Sequence, residues 1–260
     1  MRAEEAIRAM AAKGQHHFTT EQSVEAMGIS LPAARKQLRR LKDRGMVASP
    51  HRGFHVIIPP EYASLGCLPA AQFIPQLMAH LGEPYYFGLL SAAERHGAAH
   101  QRPQRGQVIV RKARRSINCG LVGVDFVGRG DLEAMPVVQV NTPRGFARYS
   151  SPETTALELV GHPDHCGGLS NVATVLSELT DEMEGERLLA VAALCPITWS
   201  QRLGYLLELV EADGLSASLL SHVRAKARCV VLLRRSADPT GAPRSPKWQL
   251  ILNEEVEPDL

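Results

Sequence analysis

The chain has 260 residues, 45% of them hydrophobic and 22% charged, with a formal net charge of +2. That length fits two domains, and the composition is that of an ordinary water-soluble globular protein. No apolar run reaches the roughly 18 residues that a membrane span needs, and MRAEEAIRAMAAKG at the start lacks the apolar core of a secretory signal.

The first 60 residues carry ten Lys/Arg and five Asp/Glu. Arg2–Lys13 has helical periodicity, with Ala6, Ile7 and Met10 on one face. In FTTEQSVEAMG, Thr19 or Thr20 caps a short helix that stops at Gly28. In ISLPAARKQLRRLKDRG, Ser30 is the cap, Pro32 lies in the first turn and Gly45 is the stop. Ala34, Leu38 and Leu41 form its buried stripe. MVASPHRGFHVII then reads as strand, tight turn and strand. Helix, helix, turn, helix and hairpin in this order predict a winged helix-turn-helix over residues 1–58.

A linker is expected at 59–69, where Pro59 and Pro60 oppose regular structure. Residues 70–260 read as a larger mixed α+β domain. Its first helix covers 70–81, and a second runs from the aromatic start YYF to Gly97, with Tyr85, Tyr86 and Phe87 as core or as a staple at the helix entry. QVIVRK, GLVGVDFVG, PVVQVN and GFARYS have strand periodicity, and NTPRG turns the last two into a hairpin. Ser150 and Glu153 have capping-box spacing, and helices are expected over 152–160, 169–180, 185–194, 199–211 and 216–226. In QRLGYLLE, Leu203, Leu206, Leu207 and Val210 point inwards, and Gln201 and Arg202 cap or pair locally. CVVLLRR and WQLILN are closing strands.

Charge directs attention to two places. On the third helix Arg35, Lys36, Arg39, Arg40, Lys42 and Arg44 crowd together with one acid, Asp43. Arg35, Arg39 and Lys42 share a face at i, i+4, i+7. A helix with an apolar stripe and a basic outer face is suited to the major groove, where guanidinium forks match guanine edges and any cation meets phosphate. His51 and Arg52 at the hairpin tip reach the flanking backbone or minor groove. Arg35, Lys36, Arg39, Arg40, Lys42, His51 and Arg52 are therefore the DNA-contacting candidates. Gln101–Arg115 has six basic residues and no acid, so Arg102, Arg105, Arg111, Lys112, Arg114 and Arg115 form a second candidate nucleic-acid surface. By contrast, Ser151–Asp213 carries eleven acids against two basic residues, so coating of DNA by the whole chain is not expected.

No catalytic constellation emerges. G-x-x-x-x-G-K-[ST] and G-x-S-x-G are missing, and no acid stands two residues before a lysine. Asp131 and Glu133 have a metal-pair spacing but no third acid. His162, Asp164, His165 and Cys166 bunch in one loop, whereas structural zinc sites join two separated pairs. The five cysteines are scattered with no C-x-x-C and read as reduced, mostly buried thiols of a cytoplasmic protein. Neither a metal nor another cofactor is expected.

The stretch YYFGLLSAAERHGAAHQRPQRGQVIV resembles the C-terminal domain of the AbiEi antitoxin family. The resemblance continues in order through VNTPRGFARYSSPETTALELV, CGGLSNVATVLSEL, QRLGYLLE and WQLILNEEVEPDL, and covers roughly residues 70 to 260. It implies a non-enzymatic antitoxin of a type IV toxin–antitoxin (abortive infection) module. Such a protein represses its own operon by binding inverted repeats in double-stranded promoter DNA through an N-terminal winged helix. It counteracts a nucleotidyltransferase-like toxin without a stable complex. The rival reading is a stand-alone winged-helix regulator whose C-terminal domain senses a ligand.

Overall fold

A computed structural model describes residues 3–98 and 103–259. The chain divides into two compact units, each built from separated segments. The first takes the chain up to Tyr85 together with Gln104–Gly130 and Gln139–Arg148; the second takes Tyr86–Pro103, Asp131–Val138 and Tyr149 onward. The expected mixed α+β character is present, with ten helices and twelve strands among the described residues.

The first unit opens with α1 (Ala3–Ala12), which buries Ala6, Ile7 and Met10. A short strand β1 (His17–Thr19) follows, too brief to show an alternation in the sequence. Thr19 caps α2 (Thr20–Met27): its hydroxyl accepts from the Gln22 N–H while the Gln22 side chain accepts from the Thr19 N–H. This reciprocal capping box satisfies two donors that a helix start leaves open. Gly28 ends α2 in the left-handed region at φ 64°, as glycine permits. Helix α3 (Leu31–Asp43) begins at Ser30, whose side chain makes no capping bond, and buries Ala34, Leu38 and Leu41.

Strand β2 (Val47–His51) and β3 (Phe54–Ile57) form the hairpin, and β1 adds to the free side of β3, in the order β1-β3-β2. The expected tight turn is confined to two residues. The strand passes through Ser49 and Pro50 with a register shift, because proline has no N–H to give the ladder, and the chain reverses at Arg52-Gly53, where Gly53 has φ 79°. One apolar cluster of Ile7, Met10, Phe18, Met27, Leu38, Leu41, Val47 and Ile57 ties these elements together.

Within 59–69, Pro60–Leu65 winds into a 3-10 turn closed by Gly66. Helix α4 (Ala70–Leu81) buries Phe73, Ile74, Leu77 and Met78. Strand β5 (Arg105–Val110) pairs in parallel with β7 (Val122–Gly128), from Arg105↔Gly123 to Val110↔Gly128. The unforeseen β6 (Ile117–Cys119) pairs antiparallel with β7.

Tyr85–Phe87 is strand β4, a departure from the helix expected there. Pro84 and Gly88 bracket it, and helix α5 (Leu89–Arg95) starts only after Gly88. In the second unit Phe87 pairs in parallel with Tyr149 and their rings stack 5.0 Å apart. Tyr86 and Phe87 are buried as expected of core residues, while Tyr85 is half-buried. Strands β8 (Val137–Thr142) and β9 (Gly145–Ser150) contribute residues to both units.

The second unit is organised on α6 (Pro152–Gly161), in which Glu153 through Val160 are all buried. Ser151, not Ser150, is its cap, accepting from the Thr154 N–H. Helices α7 (Leu169–Leu179), α8 (Gly185–Ala192) and α9 (Ile197–Leu209) pack round α6, and α10 (Asp213–Lys226) lies on α8 and α9. Gln201 and Arg202 do not pair locally. The Gln201 amide donates to the carbonyls of Cys229, Trp248 and Gln249, and the Arg202 guanidinium donates to that of Leu232. They fasten α9 to the closing strands β10 (Val231–Leu232), β11 (Arg244–Ser245) and β12 (Leu250–Ile251). Trp248 packs on Gly204, where a Cβ would overlap its ring, and donates its indole N–H to Glu208 at 2.7 Å.

Candidate nucleic-acid interface

The basic face of α3 stands outward. Burial of Ala34, Leu38 and Leu41 fixes the helix rotation, so Arg35, Lys36, Arg39, Arg40 and Lys42 are all exposed. Among the described residues none of these five, nor Arg52, forms an ion pair. Arg44 differs: it is paired with Glu4, which joins the end of α3 to α1. On α3 the cations outside any ion pair are therefore those on the outward face, where an anionic partner would meet them.

The hairpin tip lies beside the start of that face. Arg35, Arg52, Gly53, Thr20, Glu21 and His80 line one open depression of about 450 Å³. His80 lies on α4, outside residues 1–58, and no local sequence signal pointed to it; its ring packs at 5.6 Å from Phe54. His51 is half-buried, its ring bonded to the Arg52 carbonyl.

Underneath, His55 holds the elements in place. Its two ring nitrogens meet the Thr20 hydroxyl at 3.0 Å and the Ser49 hydroxyl at 2.9 Å, bridging α2 to β2. Burial pushes its pKa below the ordinary histidine value. A neutral ring donates at one nitrogen and accepts at the other, the pattern two hydroxyls can satisfy.

Two members of the second candidate surface, Arg105 and Arg114, are committed to acids on other elements. Arg102 lies outside the described residues. The parallel register of β5 on β7 brings Arg105 across Gly123 to Asp125, which it grips at 2.8 and 2.9 Å, with Asn118 at 2.9 Å. The bond to Asp125 raises the Arg105 pKa, so this charge is already answered. Arg114 pairs with Glu83 at 3.0 Å and lies over the Phe126 ring. Arg111, Lys112 and Arg115 are exposed.

Among the described residues no group of three or more His, Cys, Asp or Glu side chains is placed to hold a metal ion. In the 162–166 loop, His162 packs edge-on against Trp199, Asp164 pairs with Arg234 at 2.6 Å, and Cys166 is fully buried. Asp131 and Glu133 are exposed. No helix among the described residues is long and apolar enough to cross a membrane.

Residues 86–209 match the family model described as the AbiEi antitoxin C-terminal domain. The AbiEi match supports an antitoxin role, and such a role implies a toxin as partner. Among solved structures, the RV2827C protein from Mycobacterium tuberculosis is similar at 18% identity, covering 96% of this chain and 90% of that one, with a TM-score of 0.66; this is a likeness of fold. An antigenic nucleotidyltransferase-like protein from Paracoccidioides brasiliensis is matched at 13% identity over 62% of this chain and 93% of its own, with a TM-score of 0.36. No curated protein matches the chain.

Proposed function

We propose that the protein is the non-enzymatic antitoxin of a cytoplasmic type IV toxin–antitoxin module in phage defence, and that it represses its own operon. On this reading residues 1–58 are a winged helix-turn-helix, 59–69 a connection and 70–260 the antitoxin domain. Helix α3 enters the major groove of promoter DNA, and His51 and Arg52 at the hairpin tip meet the flanking backbone. The observation that carries the DNA reading is the outward row of unpaired Arg35, Lys36, Arg39, Arg40 and Lys42 on a helix rotated by its buried stripe. Two copies on inverted repeats would supply the specificity that one short reading helix lacks. The AbiEi match supports the antitoxin role; the partner is a nucleotidyltransferase-like toxin that forms no stable complex.

Charge reversal at Arg35 and Arg39 tests the interface. The double variant R35E/R39E is expected to lose the gel shift with DNA from upstream of its gene while keeping its unfolding midpoint. An unchanged shift would remove α3 as the reading element.

A further inference from the structure

Two buried thiols meet beneath the hairpin. Cys67 follows the 3-10 turn and has no exposed surface; Cys119 ends β6 and is 6% exposed. The two segments run side by side in opposite directions, Leu65 against Leu121 and Gly66 against Gly120, which sets positions 67 and 119 opposite one another. Neighbouring backbone holds them there. The Leu121 N–H donates to the Leu65 carbonyl at 2.7 Å, and a Cβ on Gly120 would overlap the backbone of Gly66. Only glycine allows this approach, and Gly120 has φ 60° besides.

We propose that Cys67 and Cys119 are a reversible dithiol–disulfide pair that answers peroxide and reports to the DNA-reading elements. The Cys119 sulfur attacks a peroxide oxygen, the O–O bond breaks, and one water leaves, giving the sulfenic acid. The Cys67 sulfur then attacks the sulfenic sulfur, forming the S–S bond and releasing a second water. In sum, two thiols and one hydrogen peroxide become one disulfide and two waters, and a thiol reductant reverses the change.

The surroundings divide the labour between the two sulfurs. The neighbouring Cys67 thiol lowers the Cys119 pKa against the opposing effect of burial, with smaller help from the Lys42 charge and the Ser49 N–H, whereas Cys119 and burial push the Cys67 pKa up. The thiolate is the attacking form. Cys119 lies next to the exposed turn residues Gly120 and Leu121, the latter 77% exposed, so a peroxide has a short path. Of the other cysteines, Cys166 is buried beside Glu158, Cys195 is half-buried and Cys229 is exposed.

The route to DNA is short as well. Strand β6 packs on β2 of the hairpin, and the Ser49 N–H of β2 and the Lys42 charge of α3 both act on the Cys119 sulfur. Disulfide formation changes the sulfur on which these groups act. This coupling rests on the DNA-binding reading above; formation of the disulfide does not.

The full-length chain with Cys195→Ser and Cys229→Ser, treated with hydrogen peroxide, separates the two. Intact mass and peptide mapping are expected to show loss of two hydrogens and a 67–119 crosslink that dithiothreitol reverses. Cys67→Ala in that background should instead carry oxygen on Cys119. Free thiols at 67 and 119 after treatment, in a protein with unchanged circular dichroism, overturn the pair. In gel shifts with promoter DNA, the oxidised form is expected to bind roughly tenfold differently from the reduced form, and Cys119→Ser not to respond. Equal affinity of crosslinked and reduced protein overturns the coupling. A reduced protein that fails to bind DNA sinks the DNA reading and the coupling together, and the crosslink is still decided by mass.

Discussion

Single residues at special positions carry much of the architecture. Gly204 on α9 is one, because the Trp248 ring occupies the space of its missing side chain. Trp248 is fully buried and cannot retreat without losing its bond to Glu208. Overpacking of this kind costs about 1–3 kcal/mol, so Gly204→Ala should lower the urea midpoint while Gly214→Ala, with open space around it, should not. His55 is another. Burial lowers the pKa of His55, and desolvation lowers those of His16 and His17 in the same unit. A histidine whose folded pKa is depressed binds its proton less readily folded than unfolded. Its contribution is whole above the unfolded value near 6.5 and is lost as pH falls through the folded value below it. Thermal stability should therefore decline from pH 7 towards 5. His55→Gln should flatten that decline, a result read from melting curves across pH. Gln201 and Arg202 show what sequence reading missed at this scale. Spacing along α9 predicts inward leucines well, but the acceptors of these two side chains lie 28 to 48 positions further on, beyond any local rule.

At the scale of elements, chemistry encoded next door was legible and pairing was not. The Thr19 capping box, the Gly28 stop and the apolar stripe of α3 follow from residues within one or two turns. Thr19→Ala should cost about 1 kcal/mol, measured by chemical denaturation, and should loosen α2 against α3. Strands β1 and β6 are three residues each, too short for a period of two to declare itself; each exists because a longer strand offers it a ladder. Ser150 was one residue from the true cap, since Ser and Thr crowd the start of α6 and only backbone geometry selects among them. The basic run after Gln101 changed most. Its charge is plain in the sequence, yet Asp125 and Glu83 answer Arg105 and Arg114 from other elements.

At the scale of the whole chain, charge and fold divide the work proposed for it. The basic start carries the candidate DNA face, and the acidic stretch from Ser151 to Asp213 supplies much of the AbiEi match. If repression and neutralisation are separable, R35E/R39E should lose repression of a promoter reporter and still rescue growth when co-expressed with the partner toxin. Loss of both, with the fold intact, would bind the two activities to one surface. By itself the sequence determined most of the helices, the outward basic face of α3 and the resemblance of the long second part, because each rests on periodicity or on contiguous residues. Only the tertiary structure decided which cations remain unpaired, that His80 joins Arg35 and Arg52, and that Cys67 meets Cys119, because a side chain's partner is fixed by the path of the chain between them.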